Sequence, residues 1–248
     1  MTKKKRACLF CGDTELTREH VFPQWLLDEC NIRKAKMDME HHAFYGEKIS
    51  ERPLTLNSLI NGLICRECNN GWLSQLESQV KPVLINLLNT SDNFVTLLKE
   101  HNKLLSMWAF KTAIILNHAT NYRNIIPKRH YKYLYKHRRI PENVTVLLGV
   151  SKKMNELNWV QSQSVSHKGN ESIFNNPRMT DIYKITIQIK HLLIKVIYSP
   201  FYECKYAHDE IDHIMLYPTI QVAETAETFE LAEDMVSFDI KGSLYQLD

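Results

Sequence analysis

The sequence predicts an α+β protein in which a zinc-bound N-terminal core precedes an α-helical segment and a mainly antiparallel β region. Two Cys-x-x-Cys pairs, Cys8–Cys11 and Cys65–Cys68, predict the metal-bound core. Apolar residues recur at helical spacing between residues 69 and 139. Alternating and β-branched residues dominate from residue 144 to residue 217, which favours strands.

The two cysteine pairs predict a single structural zinc site. Zinc takes four ligands tetrahedrally, and each Cys-x-x-Cys turn presents two thiolates to one ion. We therefore predict that Cys8, Cys11, Cys65 and Cys68 bind one Zn²⁺. The alternative is that one of the pairs consists of structural thiols alone.

An extended segment and an insertion are predicted between the two pairs. A turn at Gly12-Asp13 leads into a strand through Val21-Phe22, and Pro23 stops regular pairing there. Residues 30–57 are polar and mixed in character, and we interpret them as an insertion with a short strand.

Three helices and several strands are predicted after the second pair. The first helix covers residues 69–81, and Pro82 either kinks it or begins another helix. The remaining predictions are helices at 101–120 and 128–139, strands at 144–148, 157–166, 182–198 and 211–217, and a helical acidic tail at 224–234. A boundary near residue 90 would separate an N-terminal domain over 1–90 from an α+β domain over 91–248.

Composition and charge favour a packed protein with an anionic substrate. Hydrophobic residues make up 44% of the chain, which is typical of a globular protein. Residues 1–150 hold 22 Lys and Arg against 14 Asp and Glu, whereas residues 151–248 hold 9 against 14. The basic half carries the cysteine pairs, which suits an anionic substrate unless neighbouring charges neutralise each other in the fold. We expect a cytoplasmic protein without a membrane span, since no apolar signal region follows the basic N-terminus.

A dipeptide between the cysteine pairs carries candidate catalytic groups. A zinc ion with four thiolate ligands is closed, so chemistry needs other residues. Glu19-His20 offers a carboxylate and an imidazole, but a regular strand would point them to opposite faces. A bend at Pro23 or a bulge would let both side chains act on one substrate.

These motifs together resemble the HNH, or ββα-metal, nuclease superfamily, in particular the zinc-stapled branch that includes phage endonuclease VII. The resemblance covers about residues 7–80. The residues that carry it are Cys8-x-x-Cys11, Arg18-Glu19-His20-Val21-Phe22-Pro23 and Cys65-x-x-Cys68-Asn69.

The resemblance implies a role for each matching residue. Glu19 and Asn69 would hold a catalytic divalent metal, Mg²⁺ or Mn²⁺, and His20 would be the general base. Asn61 or Asn57 would be the middle Asn that steadies the loop and the base, and we prefer Asn61 because it lies closer to the second cysteine pair. The chain departs from the family pattern at Glu19, where Asp is commoner, and at Asn69, where His is common.

The implied function is hydrolysis of DNA, and the expected products are a 5′-phosphate and a 3′-hydroxyl. The expected substrate is double-stranded DNA, in a bacterial defence or mobile-element system. The C-terminal region would recognise the substrate, an activator or a partner, including a second copy of the chain. Trp108-x-x-Lys111-Thr112-Ala113 resembles a helix that follows the core in bacterial HNH proteins. The rival hypothesis is a non-catalytic zinc module that binds nucleic acid or protein.

Further charged residues are weaker candidates. Six cations in the predicted third helix would contact phosphates or form a solvated face; they are Lys128, Arg129, Lys132, Lys136, Arg138 and Arg139. The run at Lys3–Arg6 would grip a nucleic-acid backbone or fray. His41-His42 could bind a metal, and Glu77 could approach the catalytic metal or orient His20.

Overall fold

The protein is described by a computed structural model over residues 6–43, 46–89, 94–120, 124–168, 176–202, 204–208, 211–219 and 230–246. Its N-terminal strands and helices are β1 (Leu16–His20), α1 (Gln24–Glu29), β2 (Lys36–His42), β3 (Lys48–Thr55), β4 (Ile60–Cys65), α2 (Arg66–Cys68), α3 (Ser74–Asn89) and α4 (Phe94–Ala119). The remainder are α5 (Lys128–His137), β5 (Val144–Ser162), β6 (Ser166–Lys168), β7 (Tyr183–Tyr198), β8 (Cys204–Ala207), β9 (His213–Tyr217), α6 (Met235–Ile240) and β10 (Ser243–Gln246). The predicted α+β class with mainly antiparallel sheets is confirmed.

An irregular antiparallel strand pair joins the segment after the first cysteine pair to the segment before the second. Strand β1 pairs with β4, and the ladder runs from Leu16 opposite Cys65 to His20 opposite Ile60. Thr17 lies opposite Ile64 and Glu19 opposite Asn61, so two steps on β1 face three on β4. This bulge bends the strand pair next to Glu19-His20. Of the two irregularities predicted there, a bend at Pro23 or a bulge, the bulge is present.

The insertion between the pairs forms a hairpin of two strands rather than one short strand. Strands β2 and β3 pair antiparallel, from Lys36 opposite Thr55 to His42 opposite Lys48. Most of β3 is exposed to solvent. A ribbon with both faces largely in water needs little hydrophobic alternation, which explains why the sequence pattern indicated only one strand.

The predicted first helix begins irregularly and continues past its proline. Residues Asn69–Leu73 form a π-type turn, in which Gly71 has φ −91° and ψ −112°. Regular helix begins at Ser74 and runs through Pro82 to Asn89. Helix α4 begins at Phe94 rather than at residue 101, and its C-terminal half is buried on nearly every side.

The C-terminal region holds two three-stranded sheets, ordered β7-β5-β9 and β6-β10-β8. Residues 144–162 form one long strand rather than two, because register shifts between Val150 and Leu157 let β5 bend without ending. Residues 182–198 likewise give one strand, β7. The predicted helical tail lies largely outside the described residues, and helix begins only at Met235, after an Asp234 cap.

The main apolar core is continuous across residue 90. One buried cluster includes Leu26 and Leu84 from the N-terminal part, Trp108 from α4 and Ile187 from β7. The domain boundary near residue 90 stays a prediction. Within the described ranges, no helix is both long and apolar enough to cross a membrane.

Candidate active site and metal centre

Four cysteines converge at one end of the β1–β4 pair. The Sγ atoms of Cys8, Cys11, Cys65 and Cys68 all lie within 4.8 Å of one another, and those of Cys11 and Cys65 are 3.4 Å apart. A tetrahedral ion with Zn–S bonds of about 2.3 Å separates its sulfur ligands by about 3.8 Å. The predicted convergence is confirmed, and the cluster could bind zinc.

Backbone hydrogen bonds shape both cysteine turns. The Cys8 N–H donates to the Asp13 carbonyl at 2.7 Å, and the Gly12 N–H donates to the Cys8 carbonyl at 3.1 Å. Gly12 has φ +88°, a conformation that a side chain disfavours. In the second turn, the Cys68 N–H lies 3.4 Å from the Cys65 Sγ atom and can donate to it.

The chemistry of the thiols fits a bound cation. Burial raises the pKa of Cys65 to about 11 and raises that of Cys68 further. Without a metal, the thiols of Cys65 and Cys68 would therefore stay protonated at neutral pH. A divalent cation stabilises the thiolate form, so ion binding and folding of this cluster are coupled.

Glu19 and Asn69 lie together beside the cysteine cluster. The side-chain amide of Asn69 lies close enough to the Glu19 carboxylate to lower its pKa. The Asn69 Nδ2 atom also donates to Thr17 Oγ1 at 3.2 Å, so Oδ1 is the atom that could ligate a cation. Burial raises the pKa of Glu19 to about 7, Lys111 lowers it and Glu77 raises it. The carboxylate is thus poorly solvated, and a cation would stabilise its charged form.

His20 is the last residue of β1 and is partly exposed. Its Nε2 atom lies 3.4 Å from the Nε2 atom of Gln24, the first residue of α1. Burial lowers the pKa of His20, and the positive charges of Arg33 and Arg18 lower it further. The imidazole is therefore neutral at neutral pH, the state a general base requires.

Asn61 is buried directly opposite Glu19 in the β1–β4 ladder. Its Oδ1 atom accepts from the Leu63 N–H at 2.9 Å, inside the bulge. Its Nδ2 atom donates to the Ile115 carbonyl of α4 at 3.3 Å. Asn57 lies in a 3₁₀ turn before β4, and its Oδ1 atom has no hydrogen-bond partner among the described residues.

Glu77 belongs to a buried network, and its predicted approach to the catalytic metal or to His20 stays a prediction. Its Oε1 atom accepts from Lys111 Nζ and, at 3.3 Å, from Trp108 Nε1. Its Oε2 atom accepts from Trp25 Nε1 at 3.2 Å. Lys111 is fully buried, and its charge also acts on Glu19.

Sequence reasoning did not assign a role to Lys111, Trp25 or Arg33 in this region. One signal was available for Lys111, because a lysine inside the apolar helical segment 105–119 needs a buried partner. Arg33 and Trp25 carried no such signal, since exposed arginines and partly buried tryptophans are common in any fold.

The six predicted phosphate-binding cations are all exposed, four of them in α5 and two, Arg138 and Arg139, directly after it, while Tyr131 and Leu134 of the helix are buried. Arg129 is the most constrained of them, pairing with Asp181 at 2.7 Å. The Arg138 guanidinium stacks 4.6 Å from the Trp72 ring, which follows the second cysteine turn. The basic face of α5 thus adjoins the cysteine cluster.

The two histidines His41 and His42 lie on the β2–β3 hairpin. There His41 Nδ1 lies 3.0 Å from Ser50 Oγ, and His42 Nε2 lies 2.9 Å from Glu40 Oε2.

The predicted basic N-terminal run is described only in part. Residues 3–5 lie outside the described residues, and the Arg6 Nη2 atom donates to the Gly62 carbonyl at 3.2 Å.

A second cluster of metal-ligating types lies in the C-terminal region, at His208, Asp212 and His213. Two lysines already act on it. Lys195 Nζ lies 3.3 Å from His208 Nδ1, and Lys241 Nζ donates to Asp212 Oδ2 at 2.8 Å. Lys241 therefore supplies a positive charge at Asp212, whereas burial lowers the pKa of Lys195 to about 7.

No family model, curated protein or solved structure matches this chain. What the site can do therefore follows from its own groups.

Proposed function

We propose that this protein is a metal-dependent endonuclease of the HNH superfamily that hydrolyses DNA phosphodiester bonds. The observation that carries the proposal is that Asn69, next to Cys68, lies against β1 at Thr17 and acts on the Glu19 carboxylate. These residues come from a strand and from a helix start that are distant in sequence. Together with β4 they make a strand–strand–helix unit, the arrangement that the family resemblance implies.

Each residue has a role in this proposal. His20 accepts a proton from the attacking water, because its imidazole is neutral and partly exposed. Glu19 and Asn69 supply oxygen ligands to one Mg²⁺ or Mn²⁺ ion, the ligand type that such hard cations prefer. When bound, the ion polarises the scissile phosphate and stabilises the leaving 3′ oxygen.

The remaining residues hold this geometry in place. Asn61 fixes the bulge opposite Glu19 through Leu63, and it ties β4 to α4 through Ile115. The four cysteines bind a structural zinc ion that joins β1 to the helix start. This division of roles agrees with a closed thiolate site, which holds structure but leaves no position open for substrate.

Double-stranded DNA is the proposed substrate, and α5 is the proposed contact for its backbone. The exposed cations of this helix would bind phosphates without reading sequence. The α+β region that follows would recognise the substrate, an activator or a second copy of the chain, as in a bacterial defence or mobile-element nuclease. We place the protein in the cytoplasm in this proposal.

The test is cleavage of supercoiled plasmid by the purified zinc-bound protein with Mg²⁺ or Mn²⁺. We expect nicked and linear products from the wild type, and no product from His20→Ala at equal zinc content and thermal stability. A second control, His41→Ala, removes an imidazole from the hairpin and should cleave like the wild type.

Two outcomes would contradict the proposal. Equal cleavage by the wild type and His20→Ala would remove His20 as the base. Inert wild-type protein over a range of DNA and RNA substrates, despite nucleic-acid binding, would favour the non-catalytic zinc module instead.

A further inference from the structure

An open pocket lies between α1 and β2. Its volume is about 580 Å³. The residues that line it are Leu27, Asp28, Asn31, Arg33, Lys34, Ala35 and Lys36. Three of these side chains are cationic and one is anionic, so the pocket attracts anions.

The backbone around the pocket is held in a fixed turn. Asn31 has φ +56° and ends α1 in the left-handed conformation, as asparagine can at a helix end. Its N–H donates to the Asp28 carbonyl at 2.9 Å, and the Ile32 N–H donates to the Leu27 carbonyl at 2.8 Å. The Ile32 side chain is buried in the main core. The cations therefore project from an ordered segment.

The single carboxylate at the pocket organises one cation without cancelling the others. Asp28 Oδ2 accepts from Arg33 Nη2, which orients the guanidinium. Lys34 and Lys36 are exposed, and neither has an ion-pair partner among the described residues. The pocket therefore keeps a net positive charge and an oriented arginine, whose planar donor set suits phosphate oxygens.

Helix α1 connects the pocket to the proposed active site. It has Gln24 beside His20 at its first turn, and Leu27 and Asp28 line the pocket. The rise from Gln24 to Asp28 is about 6 Å, at 1.5 Å per residue. Asp28 in turn accepts a hydrogen bond from Arg33. A strand cleaved at His20 would thus place a neighbouring phosphate near Arg33.

We propose that Arg33, Lys34 and Lys36 form a phosphate-binding subsite for the DNA backbone adjacent to the cleaved bond. This inference rests on the proposed function, because it assigns the subsite to the same substrate. It gives the insertion between the cysteine pairs a role in substrate binding. The ligand is a phosphodiester group, so binding is independent of base sequence.

Duplex binding tests the subsite separately from cleavage. Fluorescence anisotropy of a short labelled DNA duplex is measured with Ca²⁺ over a range of salt concentrations, with every variant built on His20→Ala. The pocket variant is Arg33→Gln/Lys34→Gln/Lys36→Gln. Its matched control, Lys99→Gln/Lys103→Gln/Lys205→Gln, removes three exposed cations elsewhere and the same total charge.

The pocket variant should bind the duplex roughly tenfold more weakly than the control. The slope of log binding constant against log salt concentration should become shallower by about 2 to 3, since each lost phosphate contact contributes about 0.9 to that slope. Should the triple variant not fold, Lys34→Gln/Lys36→Gln changes only exposed side chains and should lower the dependence by about 2. Equal affinity and salt dependence in pocket and control variants would overturn the subsite.

Two further comparisons separate the possible ligands and the two proposals. Titration with inorganic phosphate identifies a free-anion site: phosphate binding that the pocket variant loses, without any change in duplex affinity, would overturn the assignment to DNA. Cleavage by protein with intact His20 is scored in parallel. If the protein cleaves DNA and the pocket variant binds the duplex as well as the control, the nuclease proposal stands and the subsite is refuted. If the pocket variant binds more weakly but the protein with intact His20 does not cleave, the subsite stands and the nuclease proposal is refuted.

Discussion

The Nζ atom of Lys111 contacts the Oε1 atom of Glu77, and the two residues come from helices on opposite sides of residue 90. Lys111 is fully buried, and Glu77 also accepts hydrogen bonds from Trp25 and Trp108. This ion pair therefore ties α4 to the N-terminal core, and both of its charges act on the pKa of Glu19. The N-terminal unit is shaped by a helix outside the segment that resembles the HNH family.

Breaking this pair should destabilise the fold more than removing both charges. Glu77→Gln leaves a fully buried ammonium group without its counter-ion, and we expect a loss of about 3–5 kcal/mol. Lys111→Met should cost less, because Glu77 keeps its two indole donors. The double variant should lose less than the sum of the single variants, as urea unfolding of all four proteins would measure. Simple additivity would show that the two side chains are not energetically coupled.

The four cysteines should bind about one zinc ion per chain, and the N-terminal core should depend on it. Cys65→Ser replaces a buried thiolate ligand with a hydroxyl, so we expect loss of zinc and of the β1–β4 pairing. Metal analysis and amide hydrogen exchange of β1 and β4 would detect both changes. Cys30→Ser is the matched control, since Cys30 lies outside the cluster and should leave the zinc content unchanged. A zinc-free wild type with normal exchange protection would refute the site.

Asn61 should contribute much more than Asn57 to the free energy of unfolding and to cleavage. Asn61→Ala removes the acceptor of the Leu63 N–H and the donor to the Ile115 carbonyl, so the free energy of unfolding should fall by about 1–3 kcal/mol. Cleavage should fall as well, because the bulge faces Glu19. Asn57→Ala removes an oxygen that makes no hydrogen bond within the described residues and should change both little. The reverse ranking in plasmid cleavage and urea unfolding would make Asn57 the middle motif residue.

Spacing in the sequence was sufficient to predict the cysteine cluster, the α+β class and most helices. Cys-x-x-Cys turns are local, and two pairs leave one arrangement in which all four sulfur atoms meet. Helices such as α3 and α5 carry an apolar face that the sequence shows directly. These features depend on residues that are neighbours in the chain.

Long-range features were not predictable in the same way. The register shifts in β5 that keep residues 144–162 in one strand depend on pairing with β7. The Lys111–Glu77 contact joins residues from separate helices, and nothing local to Glu77 indicates its partner. The pocket at Arg33 exists only because α1 ends in a left-handed turn before the hairpin. Each of these is set by tertiary contacts rather than by sequence pattern.

His130 should make the fold less stable in mild acid. It is buried in α5, with its Nδ1 atom 3.0 Å from the Tyr183 hydroxyl and its ring against Tyr198. Burial lowers the pKa of His130 from 6.5 to about 4; the Arg129 charge lowers it further, and Asp181 opposes this effect. Between these pH values the unfolded chain binds more protons than the folded one. The contribution of His130 to the free energy of unfolding is therefore fully present above pH 6.5 and is lost as the pH drops towards 4.

A shift of this size corresponds to a contribution on the order of 3 kcal/mol across that window. His130→Phe keeps an aromatic ring but cannot take up a proton, so its unfolding free energy should change less over the same interval, although loss of the Tyr183 hydrogen bond lowers its stability at every pH. His137→Gln, which alters an exposed histidine at the end of the same helix, should follow the wild type. Urea unfolding above, within and below the window measures the difference. Parallel curves for the wild type and His130→Phe would mean that His130 is solvated in the folded state, and that the packing of α5 against β7 is looser than its buried tyrosines indicate.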